Sequence, residues 1–152
     1  MKVLKPLVLT FGLLFSLAFA QLSVGIETVQ SANDFATTQA KLEAAIEASP
    51  LNLMTTVDHT ANAESAGLSL RPTTLYIFGN PAVGTHLMDA APSAAIDLPQ
   101  KMVVWQDSSG TVFVSYNNPY YLKARHNIDG QAERFKMINM ALSNLAGAAT
   151  SP

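Results

Sequence analysis

The sequence predicts a compact α+β domain: a sheet of about five strands, mixed or mostly antiparallel, with its helices packed mainly on one face. Strand-like and helix-like segments follow one another in the order β-α-β-(turn)-β-α-β-β-α-α. Residues 101–106 and 111–116 flank the turn-forming segment Asp107–Gly110, so these two strands must form an antiparallel hairpin. Without its first 20 residues, the 152-residue chain is long enough for one core and too short for two.

The first half of the domain is predicted from its periodicity and its β-forming residues. Three strands are predicted, over residues 26–29, 51–57 and 73–78. A helix is predicted from a cap at Asn33 or Asp34 to about Ala48, and a short helical turn over residues 61–66. The apolar face of the long helix has four residues at helical spacing: Phe35, Leu42, Ala45 and Ile46.

Two Asn-Pro pairs predict helix starts in the second half, because Asn caps a helix and Pro is tolerated at its first position. Asn80-Pro81 begins a helix that Pro92 interrupts, and Asn118-Pro119 begins a short helix that ends near Arg125. A last helix is predicted over residues 130–145, followed by a frayed tail. Its apolar stripe consists of Phe135, Ile138, Leu142 and Leu145.

The hairpin register predicts which sheet face is buried. With Gln106 opposite Thr111, Trp105 would face Val112, and the neighbouring valines 103 and 114 would face each other. These four side chains would share the core face. On that basis Trp105→Ala is expected to cost about 3–5 kcal/mol, as for a large buried aromatic.

The first twenty residues are typical of an export signal. Lys2 and Lys5 precede an apolar run over residues 7–19, and Ala18-Phe19-Ala20 predicts cleavage before Gln21. The run has 13 residues, whereas a membrane anchor needs roughly 20. We therefore expect a signal peptide over residues 1–20 and one exported domain over residues 21–152, in the periplasm or the medium.

Composition excludes several classes of partner for the mature chain. After the leader is removed, 7 basic and 11 acidic residues remain, a net charge of −4. This balance argues against nucleic acid and gives no attraction to anionic lipid. Since the chain has no cysteine, its stability must come from packing.

Two histidines are candidates for chemistry. His59 follows Asp58 at the end of a predicted strand, where a carboxylate could orient it as a base or ligand. His126 ends the helix that begins at Pro119, where the helix dipole favours a cation. Each histidine also has a purely structural explanation: the His59 ring could bond a loop carbonyl, and the helix dipole alone could account for His126.

Two further groups could line a ligand site. Asn80 begins a helix whose free amides would form a surface suited to an anion, unless it is simply a cap. Tyr116, with tyrosines 120 and 121 and with Arg125, could form one wall of a pocket or seal a helix against the sheet. The candidate ligand-binding residues are therefore His59, Asn80, Tyr116, Arg125 and His126.

Strong motifs for catalysis or metal binding are not found in the sequence. There is no G-x-S-x-G elbow, no phosphate loop, and no closely spaced ligand set for zinc. Met137-x-x-Met140 and His86-x-Met88 offer soft ligands for copper, but methionines at helical spacing usually fill a core. We therefore expect no metal and no cofactor.

An ordered set of short segments also carries a family pattern. The segments are Asp58–Ala63, Gly67–Thr73, Ile77–Pro81, Gly84–Met88, Asp97–Pro99, Val104–Asp107, Ser115–Leu122 and Arg125–His126. In this order they resemble the domain-of-unknown-function 302 family, over about residues 26–145. The resemblance implies a compact α+β domain, often seen as a dimer, and it implies no agreed activity.

Three functions follow from these observations. The first is a non-catalytic exported module, built as a homodimer, that binds a small ligand or a partner protein. The second is an enzyme that uses His59, with Asp58 or Asp97, as acid and base. The third is a metal or haem carrier that uses His59, His126 and a methionine.

Overall fold

The computed structural model describes residues 24–152, so the predicted leader and its cleavage site lie outside the described residues. Five strands form one sheet, and every neighbouring pair is antiparallel, in the order β1-β5-β4-β3-β2. The strands are Ile26–Gln30 (β1), Asn52–Asp58 (β2), Thr73–Gly79 (β3), Gln100–Gln106 (β4) and Val112–Asn117 (β5). The predicted α+β class is confirmed.

Five α-helices connect or follow the strands: Phe35–Glu47 (α1), His59–Ser65 (α2), Pro81–Ala90 (α3), Pro119–Arg125 (α4) and Ala132–Thr150 (α5). A short 3-10 helix at Pro92–Ile96, which the sequence did not predict, follows α3. Asp34 caps α1 by accepting from the backbone N–H of Thr37 at 2.7 Å. None of the helices described in residues 24–152 is both long and apolar enough to span a membrane.

The main core lies between one face of the sheet and the helices α1 and α5. It confirms the predicted apolar faces of both helices, since Leu42, Ile46, Leu142 and Leu145 are buried in it. The sheet contributes side chains that are paired neighbours in register: Thr74, Tyr76, Phe78, Met102, Val104, Val112, Val114 and Tyr116. The remaining sheet face is only partly buried.

The predicted hairpin register was wrong by one residue. Gln106 pairs with Val112, and Trp105 pairs with Phe113, so the loop has five residues, 107–111. The loop is longer because the Asp107 carboxylate accepts from the backbone N–H groups of both Ser109 and Thr111, which draws Thr111 into the turn. Val112 and Val114 remain on the core face, as predicted.

Trp105 and Val103 consequently lie on the other, partly exposed face of the sheet. The indole stacks on Phe113 with ring centroids 4.7 Å apart. Its N–H donates to Ser115 Oγ at 2.9 Å. Trp105 is therefore a half-buried surface aromatic rather than a core residue.

The last helix is longer than predicted, because α5 continues to Thr150 instead of ending near Leu145. Ala146, Ala149 and Thr150 are buried, so the small residues that suggested a frayed tail instead allow close packing. The side chain of Lys41 donates to the Ser151 carbonyl at 2.7 Å and so ties the helix end to α1.

A second, smaller core lies beyond the main one. It consists of Leu87 from α3, Ala94 from the 3-10 helix, Ile128 from the loop before α5, and Phe135 from α5. These side chains pack α3 and the 3-10 helix against the N-terminal half of α5.

Tyr76 makes the fold sensitive to alkaline pH. Its ring is fully buried, its hydroxyl accepts from Gln39 Nε2 at 3.0 Å, and burial raises the pKa of Tyr76 to about 12. A folded-state pKa above the unfolded value of about 10 favours the neutral phenol, so this contribution is complete below about pH 10 and lost as pH rises towards about 12.

We therefore expect Tyr76→Phe to reduce the loss of folding stability over that pH range. Urea unfolding of both proteins at several pH values measures this loss, with Tyr120→Phe, at an exposed tyrosine, as the control. Equal losses in wild type and Tyr76→Phe would contradict the assignment.

Candidate functional site

A cavity of about 520 Å³ lies between α3, α5 and the end of the sheet where β3 finishes. This volume falls within the range of small-molecule sites, roughly 300–1,000 Å³. Its walls come from five parts of the chain. Residues of each part include Leu51 and Met54, Phe78 and Gly79, Val83 and Met88, Leu98 and Pro99, and Met137 and Ala141.

The start of α3 shapes one side of this cavity. The Asn80 carboxamide accepts from the backbone N–H of Ala82 at 2.9 Å and donates to the Pro50 carbonyl at 3.3 Å. Pro81 occupies the first turn, where it loses no needed hydrogen bond. The Asn-Pro pair therefore fixes the direction in which α3 leaves the sheet, and the second core holds its far end against α5.

Within residues 24–152, the cavity lining carries no charged side chain and no histidine. Its polar side chains are those of Asn80, Thr85, Gln100 and Asn144. The rest is aliphatic, aromatic or thioether surface. Such a lining favours a neutral, mostly apolar ligand, because an unpaired charge would lose its hydration there.

Asn80 is the one candidate site residue from the sequence that lines the cavity. The predicted anion surface is not formed, because the backbone amides of the first turn are already used. Ala82 donates to the Asn80 side chain, while Val83 and Gly84 donate to its carbonyl oxygen at 2.9 and 3.0 Å. Asn80 thus acts as a complete helix cap.

His59 lies far from Asn80. Asp58 pairs with Thr74, and Asn52 pairs with Gly79, so His59 and Asn80 lie at opposite ends of the β2–β3 pair. Five residues at about 3.3 Å each place these ends roughly 17 Å apart. His59 is exposed, and the carboxylate of Asp58 caps α2 by accepting from the backbone N–H of Ala61.

His126 and Arg125 belong to a separate polar cluster around Asp97. His126 Nε2 lies 2.6 Å from Asp97 Oδ2, and its Nδ1 lies 3.0 Å from Ser93 Oγ. Arg125 Nη1 approaches both carboxylate oxygens at 3.3 Å. The cluster thus joins the 3-10 helix and its following loop to the end of α4.

The cluster contains serine, histidine and aspartate, but it has no substrate-sized space. The cavity beside His126 has a volume of about 10 Å³, enough for one water molecule at most. Ser93 is exposed at the surface. The cluster therefore has a structural arrangement, in which the Asp97 carboxylate binds His126 and not His59.

We expect Asp97→Asn to destabilise the protein by about 1–3 kcal/mol, because it weakens a charge-assisted bond to a histidine side chain that is only 6 % exposed. Arg125 is half exposed, so its ion pair contributes little. Urea unfolding of Asp97→Asn against Arg125→Gln tests this ranking. An Arg125→Gln loss as large as that of Asp97→Asn would contradict it.

Tyr116 is buried in the main core, and its neighbouring tyrosines do not form a pocket wall with it. Burial raises the pKa of Tyr116, with a smaller contribution from the nearby Glu27 carboxylate. Tyr120 and Tyr121 are exposed on α4, where Tyr121 packs against Gly25. Tyr116 therefore packs between a helix and the sheet, which is the second of the two interpretations from the sequence.

Within residues 24–152, no group of three or more histidine, cysteine, aspartate or glutamate side chains could hold a metal ion. The sequence interpretation missed most of the cavity, because its lining comes from segments that are distant along the chain. One indication was present in the sequence, because Met137 and Met140 lie off the apolar stripe of α5. Both are exposed, so the interpretation that they fill a core was wrong.

A solved structure has a fold similar to that of this chain. A crystal structure of an uncharacterized conserved protein DUF302 from Bacillus stearothermophilus superposes with a TM-score of 0.74 at 20% identity, covering 84% of this chain and 99% of that chain. At this identity the likeness concerns the fold alone.

Among curated proteins, two relatives named "Fluoride-specific ion channel FluC 1", from Brucella suis and Brucella abortus, are each 41% identical over 104 residues. The match covers 68% of this chain but 41% and 38% of those proteins, so the chain spans less than half of their length. The family described as "Domain of unknown function DUF302" matches residues 27–145, close to the extent of the sequence resemblance. The chain therefore belongs to the DUF302 family.

Proposed function

We propose that this protein is a non-catalytic binding module whose cavity takes a small, neutral and mainly apolar ligand. The observation that carries this proposal is the lining: about 520 Å³ of space, bordered by no charged side chain of the part of the chain that the structure describes. Burial of apolar ligand surface supplies the affinity. The side-chain amides of Gln100 and Asn144 offer hydrogen bonds to polar groups of the ligand.

The alternative of an enzyme has less support from the geometry. His59 is exposed, and its neighbour Asp58 is already used as a helix cap. His126 is held by Asp97 and Ser93 next to a space too small for a substrate. A general base must reach the proton it abstracts, and neither histidine lines the cavity.

The cavity does not suit fluoride, the ion in the names of the two relatives. Fluoride is a small, strongly hydrated anion, and its release from water must be offset by positive charge or by several N–H donors. The lining has no positive side chain, and the first turn of α3 has its amides occupied. Fluoride transport is therefore not proposed for this chain.

A titration with phenylnaphthylamine, a neutral apolar fluorescent probe, tests the proposed function. We expect the probe to bind with a fluorescence increase and to raise the melting temperature. At 100 times its dissociation constant a ligand adds about 2.7 kcal/mol of apparent stability. Charged probes of similar size should bind more weakly. No fluorescence increase and no thermal shift with any neutral probe would overturn the proposal.

We also propose that the protein is exported and acts outside the cytoplasm. Support comes from the first twenty residues alone: two lysines, a 13-residue apolar run and the Ala18-Phe19-Ala20 ending. Amino-terminal sequencing of the protein from an extracytoplasmic fraction should begin at Gln21. Recovery of an intact Met1 there would contradict cleavage.

A homodimer is our proposal for the assembly. Support comes from the sheet face opposite the main core, where Leu75, Ile77, Val103, Trp105 and Phe113 remain partly exposed. Apolar side chains grouped on one face are typical of a protein interface. Light scattering should give twice the chain mass, and Val103→Glu should halve it; a wild-type monomer would contradict the proposal.

A further inference from the structure

Methionines are concentrated around the cavity. Met54, Met88, Met137 and Met140 all border it, which leaves Met102 as the one methionine of the described chain outside the lining. Met102 is fully buried in the main core and serves packing there. The four cavity methionines come from β2, α3 and α5, so the fold gathers residues that are distant in sequence.

Three of these methionines are unusually exposed for their residue type. Met54 is 49% exposed, and Met137 and Met140 are each 55% exposed. Core packing therefore does not account for them. An unbranched side chain with three rotatable bonds can move its sulfur over several ångströms, so flexible thioethers at a cavity rim can turn towards a common ligand.

The backbone brings two of the methionines together, and a third reaches the same cavity from the sheet. Met137 and Met140 are three residues apart on α5 and thus lie on one helix face, with Cβ atoms roughly 5–6 Å apart. Met54 reaches the cavity from the irregular part of β2, where the register shifts between Leu53 and Thr55. Its terminal methyl lies against Gly79, 3.9 Å from where a Cβ would stand.

We propose that the rim methionines Met54, Met137 and Met140, together with Met88, form a thioether site for a soft monovalent cation, namely Cu(I). Thioether sulfur is a soft, neutral donor that selects Cu(I) over hard or borderline divalent ions. The cavity lining offers no carboxylate, imidazole or thiol for those other metals. Because the rim is half exposed, the ion keeps part of its hydration and is not buried as a bare charge.

This site rests on the same cavity as the proposed function, but it requires different chemical groups. An apolar ligand needs the volume and the apolar surface, whereas Cu(I) needs the sulfur atoms. Met137→Leu with Met140→Leu removes two sulfurs and keeps a similar side-chain volume and apolar character. Met102→Leu is the matched control, since it is the same chemical change outside the cavity.

The experiment is a calorimetric titration of the purified protein with Ag(I), a redox-stable probe for Cu(I), in chloride-free buffer. Anaerobic competition with a chromogenic Cu(I) chelator then tests Cu(I) itself. We expect one ion per chain, at least about tenfold weaker binding in Met137→Leu/Met140→Leu, and unchanged binding in Met102→Leu. Zn(II) should not bind, and His86→Ala should leave Ag(I) binding intact, because His86 does not border the cavity.

Two results would overturn the soft-metal site: no Ag(I) or Cu(I) binding by the wild type, or wild-type affinity in the double leucine variant. Binding of the neutral fluorescent probe is measured on the same wild-type protein. Failure of metal binding with intact probe binding therefore removes this inference alone, whereas failure of probe binding removes the proposed function.

Discussion

Phe135→Ala should destabilise the protein by about 3–5 kcal/mol, the usual cost of deleting a large aromatic from a packed core. Phe135 is 2% exposed and packs with Leu87, Ala94 and Ile128 in the second core. Its removal leaves a void among residues from four separate segments. Since small domains are stable by roughly 5–15 kcal/mol, this loss is a large fraction of the total.

Urea unfolding measures the change, with Tyr120→Ala as the control because Tyr120 is 45% exposed. We expect less than about 1 kcal/mol for the control. A Phe135→Ala loss no larger than that of Tyr120→Ala would mean that the second core does not hold α3 against α5.

Trp105→Ala should cost less than Phe135→Ala, contrary to the expectation from the sequence. Its indole is partly exposed, so the change removes incomplete burial, the stacking on Phe113 and one hydrogen bond to Ser115. An aromatic pair contributes about 0.5–1.5 kcal/mol beyond its buried area. If a dimer forms through this face, the loss becomes dependent on protein concentration.

Ala141→Phe should weaken ligand binding by occupying part of the cavity. Ala141 lies on the face of α5 that lines the cavity, so a phenyl ring there occupies the space of the ligand. We expect the affinity for the neutral probe to fall at least about tenfold, which corresponds to about 1.4 kcal/mol of binding free energy.

Ala148→Phe is the matched control. It is the same substitution on the same helix, but Ala148 is exposed and does not border the cavity. Circular dichroism and urea unfolding establish that both variants are folded. Equal probe affinity in Ala141→Phe and wild type would place the binding site elsewhere.

Local features of the sequence predicted most of the fold. The alternation in β1, the caps at Asp34, Asn80 and Asn118, and the apolar stripe of α5 each depend on near neighbours. These features have a fixed period or a fixed spacing, so they can be recognised without the tertiary structure. The α+β class followed from their order.

The errors arose where tertiary contacts or side-chain hydrogen bonds determine the strand register or the end of a helix. The hairpin register depends on the Asp107 carboxylate, which draws Thr111 into the turn, and a slip of one residue moved Trp105 to the wrong face. The end of α5 depends on packing of Ala146 and Ala149 against the core. Neither effect has a periodic pattern in the sequence.

Of the candidate ligand-binding residues named from the sequence, only Asn80 lines the cavity. The other candidates were chosen because they are polar. His59 and His126 do not line the cavity, and Arg125 and His126 bind the Asp97 carboxylate instead. The cavity itself is built from apolar residues that resemble core residues in any sequence. Its position depends on how α3 leaves the sheet and where α5 crosses it.

The central claim, that the 520 Å³ cavity is the ligand site, is tested most directly by NMR of protein labelled at the methionine methyl groups. On titration with the neutral probe, the methyl signals of Met54, Met88, Met137 and Met140 should shift together, because these residues border the cavity. The Met102 signal, from the main core, should stay nearly unchanged. Probe binding that leaves the four cavity signals in place would contradict the account.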